Sequence, residues 1–136
     1  MPDQMPTSVA WYERISYAAI ALSVASFPLN WTMIEKYDRM YPVVYPVGMV
    51  LVIAIQILWV WFVARKRKNW ARWLTVVWSG IAVVYPLFHF QNELRMGVVV
   101  AIAFYAINLI FFAAAGLLLL PEAAAWFRLP NATSTS

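Results

Sequence analysis

The segment Arg65-Lys66-Arg67-Lys68-Asn69-Trp70-Ala71-Arg72 carries five positive charges and no negative one, and it lies between two long apolar stretches. The whole chain has ten Lys and Arg, so half of its cations sit in this one place. A hydrocarbon core rejects such a run, whereas the anionic cytoplasmic face of a bilayer attracts it. The segment therefore reads as a cytoplasmic loop joining two membrane-spanning helices. That reading fixes the side of the membrane on which every other loop falls.

Composition points to the same solvent. Of 136 residues, 64% are apolar and 12% charged, against about a quarter charged in soluble domains. A water-soluble fold of this length could not hide so much apolar surface. The net charge of +4 is concentrated in the one loop, which favours a membrane surface over nucleic acid as the partner of the positive charge. Cysteine is absent, excluding disulfides, thiolate metal sites and cysteine nucleophiles. By length the chain is a single domain.

Four apolar segments are expected to span: about Arg14 to Ile34, Val43 to Ala64, Trp70 to Phe90 and Gly97 to Leu120. Each holds roughly 20 residues, enough at about 1.5 Å per residue to cross a hydrocarbon core of about 30 Å. Helices are required, because lipid offers the backbone no hydrogen-bonding partner. The expected fold class is all-α, an integral membrane antiparallel bundle of four transmembrane helices joined by short links. Glu35, Lys36, Asp38 and Arg39 cancel after the first segment, and Glu93 offsets Arg95 after the third. Both of those loops then face outward, and both termini are cytoplasmic. Trp11, Trp59, Trp61, Trp70, Trp73 and Trp126 fall near the inner face, and Tyr37, Tyr41, Tyr45 and Tyr85 near the outer one, as aromatic belts do. The first segment reads as a retained helix, because its apolar run continues past any small-residue cleavage site.

A faint internal echo accompanies this layout. Phe27-Pro28-Leu29 is followed by Glu35, and Tyr85-Pro86-Leu87 by Glu93 at the same interval. A duplicated helical hairpin would produce the pattern, and so would the ordinary preference of Pro and Glu for water-facing helix ends. The triplets Asn30-Trp31-Thr32 and Asn131-Ala132-Thr133 match a glycosylation acceptor but fall at membrane depth and on the cytoplasmic side.

Few residues offer chemistry. No Asp, Glu, Lys or Arg lies within the spans, apart from Arg14 and Arg72 near the edges of the first and third. Ion-coupled carriers keep an ionisable group at membrane depth, so a proton-driven pump is disfavoured. A likeness to small multidrug-resistance transporters fails for the same reason, as their first helix holds a buried Glu. Gln56 and Asn108 stand near the midplane, and such amides need partners worth on the order of 1 kcal/mol each. They read as helix–helix glue, to each other or to Tyr105; the alternative is the lining of a polar path. In the first span, Ala19 and Ser23, and likewise Ala21 and Ala25, have the spacing of close helix packing. That helix is expected at the centre of the bundle or in a partner interface. His89, one turn before Glu93 and on the same side as Glu35, is the one candidate outer-face site for a metal or for pH sensing. Three or four ligands with His-rich spacing are missing, so an interfacial histidine is the plainer reading and no metal or other cofactor is expected. No nucleophile motif or glycine-rich phosphate loop appears. The cations Arg65, Lys66, Arg67, Lys68 and Arg72 serve as a topology anchor that also attracts anionic headgroups; docking of an acidic cytoplasmic partner is the alternative.

At Lys68-Asn69-Trp70-Ala71-Arg72 the chain resembles a broad set of small bacterial four-span membrane proteins that carry Arg/Lys-Asn-Trp-Ala-Arg at the start of the third helix. The resemblance covers the four-span layout and this one motif. It implies a multi-pass location in the bacterial inner membrane, and it transfers no activity and no catalytic residues. The expected function is that of a non-catalytic accessory or structural component, packing with itself or with another membrane protein. A carrier or channel for a small, weakly polar solute is the alternative.

Overall fold

A computed structural model describes residues 4–95 and 97–129. Among them the chain forms seven α-helices and no strand. The helices are α1 (Thr7–Ala25), α2 (Trp31–Met40), α3 (Val44–Lys66), α4 (Asn69–Phe88), α5 (Phe90–Arg95), α6 (Val98–Leu117) and α7 (Pro121–Arg128). A 3-10 turn, Phe27–Asn30, separates α1 from α2.

Three helices are long and apolar enough to cross a membrane: α3, α4 and α6. Their limits follow the apolar runs at 43–64, 70–90 and 97–120. The first apolar segment behaves differently. The expected helix over 14–34 begins earlier, at Thr7, and ends at Ala25. Pro28 explains the stop, because its ring would clash with the carbonyl of Val24 and it has no N–H to continue the ladder. Pro86, in the corresponding place before α5, lies within the last turn of α4, which ends two residues later at Phe88. Each proline is followed by a short helix, α2 or α5, and then by a long apolar one.

Neighbouring long helices run antiparallel, as the paired positions show. Trp59 meets Thr75 and Phe62 meets Trp70 across the α3–α4 turn. Phe112 of α6 lies 3.7 Å from the position of a Cβ on Gly80 of α4. Nearer their other ends, Pro86 and Leu87 share a cavity of about 80 Å³ with Ala101, Phe104 and Tyr105. Helix α1 packs against α3, α6 and α7, and α6 packs in turn against α4.

The core is concentrated at one end, where α1 and α4 begin and α3 and α6 finish. There Val9, Tyr12, Val60, Val63, Ala64, Ala71, Ala114, Leu118, Ala123, Trp126 and Phe127 form one buried cluster. At the opposite end α3 is bare: Val44, Val47, Val50 and Leu51 are all exposed. Helix α1 has more buried residues than any other, including Ser8 and Ser16. A helix that faces protein rather than lipid can afford such polar residues, which accounts for its lower hydropathy.

Candidate membrane-surface site

The cationic loop is a two-residue link. Helix α3 ends at Lys66, and Arg67 takes a left-handed conformation (φ 50°, ψ 30°) before extended Lys68 opens α4. A side chain in that conformation costs about 1–2 kcal/mol. The turn directs the Arg67 guanidinium over the indole of Trp126, 3.7 Å from its centroid, a cation–π contact that offsets about 0.5–2 kcal/mol. Two of the other cations also lie on partners and a third does not. Arg65 reaches Glu13 at 3.4 Å, Lys66 stands 5.5 Å from the Trp61 ring, and Lys68 is exposed.

Arg72 differs from the rest. It is 6% exposed, and its guanidinium lies 5.0 Å from the Trp73 ring and 5.8 Å from that of Phe127. Its Nε and Nη1 are buried with no hydrogen-bond acceptor, and the buried Nε1–H of Trp126 has none either. Among the described residues, neither carboxylate at this end is free to pair with it. Glu13 faces Arg65, and Glu122 accepts the backbone N–H of Ser8 at 3.1 Å.

The Glu122 contact holds two helix ends together. Helix α1 starts after Pro6 with no side-chain cap of its own, leaving its first N–H groups without intrahelical partners. Glu122, in the first turn of α7, supplies the acceptor from across the fold and places negative charge at both positive helix ends. Thr75 makes a second cross-link. Its hydroxyl accepts from the Trp59 indole at 2.9 Å and donates to the Ala71 carbonyl at 2.8 Å. Glu122, Thr75 and the burial of Trp126 escape a reading by composition. Pro121 with Glu122 ahead of a short apolar turn is a helix-start signal that marks α7.

The midplane amides are not brought together. The amide of Asn108, half-buried, donates to the Phe104 carbonyl of its own helix at 2.9 Å, and among the described residues no hydrogen bond links it to Gln56 or Tyr105. Tyr105 instead lines the small apolar cavity beside Pro86. Gln56 is exposed on α3, and none of the side-chain hydrogen bonds among the described residues involves it. Of the small residues on α1, Ala19 is fully buried and Ser23 half-buried, whereas Ala21 and Ala25 are exposed.

At the other end, Glu35 pairs with Arg39 one turn on. His89 is exposed, with its ring stacked on Tyr85 and its Nδ1–H donated to the Tyr85 carbonyl at 3.1 Å. The side chain of Glu93 lies outside the described residues. Among the described residues no three metal-binding side chains converge.

Comparison with protein-family models, curated proteins and solved structures gives no match. The site is therefore interpreted from its own chemistry.

Proposed function

We propose that this chain is a multi-pass protein of the bacterial inner membrane that acts as a non-catalytic accessory or structural component, assembling laterally through the exposed face of α3. In this reading α1, α3, α4 and α6 form a four-helix transmembrane bundle. Both termini and the Arg65–Arg72 loop face the cytoplasm, in contact with anionic headgroups. Three apolar helices, the antiparallel packing and the Trp-rich end beside the cations support it.

One observation carries the assembly. Gln56 is exposed near the middle of α3, beside Val52, Ile55 and Leu58, which are 55%, 62% and 63% exposed. An amide in hydrocarbon gains from a partner, and among the described residues none hydrogen-bonds to it. One and two turns earlier on the same ridge stand Val52 and Gly48, where an added Cβ would meet only open space, so a neighbouring helix has room to approach. Helix α1, with its small residues, is largely taken up by α3, α6 and α7. The carrier alternative gains nothing from the fold, since the two midplane amides do not meet around a common path.

Native mass measurement in nanodiscs tests this. The wild type is expected as an assembly heavier than its 15.6 kDa chain. Gln56→Leu should weaken association by roughly fivefold, the equivalent of about 1 kcal/mol. A wild-type protein that stays monomeric and brings no membrane partner, indistinguishable from Gln56→Leu, would remove the proposal.

A further inference from the structure

The buried guanidinium of Arg72 has neither the partner nor the exposure of its neighbours at this end. Arg65 has a carboxylate, Arg67 covers an indole, and Lys68 has water. Arg72 instead has Nε and Nη1 shielded from solvent and unbonded, and the Nε1–H of Trp126, next in sequence to the Phe127 whose ring faces Arg72, is likewise unbonded. A buried charge is tolerated when it is paired and hydrogen-bonded. Among the described residues no carboxylate is available, and the surroundings are positive. Arg67 lies on Trp126, and exposed Arg128 follows Phe127, whose ring is 5.8 Å from the Arg72 guanidinium. An anion from outside the described residues would complete the arrangement. Arg72 also stands in the first turn of the 20-residue helix α4, whose amino-terminal end favours negative charge.

We propose that Arg72, with Trp126 Nε1–H and the flanking Arg67 and Arg128, binds a phosphate oxyanion. In the membrane this is the headgroup of an anionic phospholipid. Arginine's planar fork of N–H donors matches two phosphate oxygens. A phosphate on one edge of the fork engages Nη2 together with either Nε or Nη1. The choice of a lipid source rests on the membrane reading above, whereas the oxyanion site does not.

Thermal stability and retained phospholipid, by native mass spectrometry, are measured on the full chain in neutral detergent. Phosphatidylglycerol, phosphatidylcholine or inorganic phosphate is titrated in. Wild type should be stabilised saturably by phosphatidylglycerol and not by phosphatidylcholine. Arg72→Gln should lose roughly tenfold or more in apparent affinity, about 1.4 kcal/mol. Lys66→Gln, with the same change in charge, should lose under about threefold, and Arg72→Lys should fall between because it keeps the charge without the fork. Stabilisation by inorganic phosphate that phosphatidylglycerol does not exceed would uphold the oxyanion site and assign it to a soluble ligand. Equal losses in Arg72→Gln and Lys66→Gln would overturn the proposal, since diffuse loop charge would then suffice. Should Arg72→Gln fail to fold, wild type that retains no phospholipid and responds to neither anion would overturn it alone.

Discussion

Trp126→Ala is expected to cost about 3–5 kcal/mol of stability, the range for removing a large aromatic side chain from a packed interior. Trp126 is 6% exposed and belongs to the cluster that joins α1, α3, α6 and α7. Its loss opens a void between these helices. It also strips Arg67 of the ring that offsets its left-handed backbone. Trp78 provides the control: at 70% exposure on α4, its replacement by alanine should leave the folded protein within about 1 kcal/mol of wild type. Denaturant titration in mixed micelles, followed by tryptophan fluorescence, reads both. Equal losses in the two variants would mean that α7 is an appendage rather than part of the core.

Ala19→Leu should destabilise by about 1–3 kcal/mol, because an added isobutyl group must be forced between packed helices. Ala19 has no exposed surface and lies on the face that α1 turns into the fold. Ala21, two residues on, is exposed, so Ala21→Leu should change stability by no more than about 0.5 kcal/mol. The same titration distinguishes them. The pair tests the rotation of α1 about its axis, and the reverse order would show that the helix presents its other side to α3 and α6.

The sequence made some of this legible and hid the rest for identifiable reasons. Helices α3, α4 and α6 follow unbroken apolar runs, because a helix bathed in lipid must be apolar around most of its circumference. Helix α1 escapes that rule. Its start among Thr7, Ser8 and Tyr12 is masked because buried neighbours, not lipid, surround it, and its end is set by Pro28 rather than by polarity. The short helices α2, α5 and α7 fall below the length at which hydropathy distinguishes a helix from a loop. Spacing brought out the small residues of α1 but could not say that Ala19 faces inward and Ala21 outward. The midplane amides show the same limit. Depth along a helix can be counted from its ends, whereas the direction in which Gln56 points depends on packing. The cationic run was plain, but the difference between Arg72 and its neighbours arises only when α7 folds back and lays Trp126 and Phe127 against the loop.

Cysteine labelling tests the proposed bundle of four spans, with its cationic loop and both ends in the cytoplasm. The natural chain has no cysteine, so single cysteines can be placed at exposed Gln4, Asp38, Lys68 and Asn92 and labelled in intact spheroplasts with a membrane-impermeant maleimide. Asp38→Cys and Asn92→Cys should label at once, and Gln4→Cys and Lys68→Cys only after the membrane is permeabilised. Labelling of Gln4→Cys together with Asp38→Cys from outside would mean that α1 does not cross, and labelling of Lys68→Cys from outside would invert the orientation; either result contradicts the account.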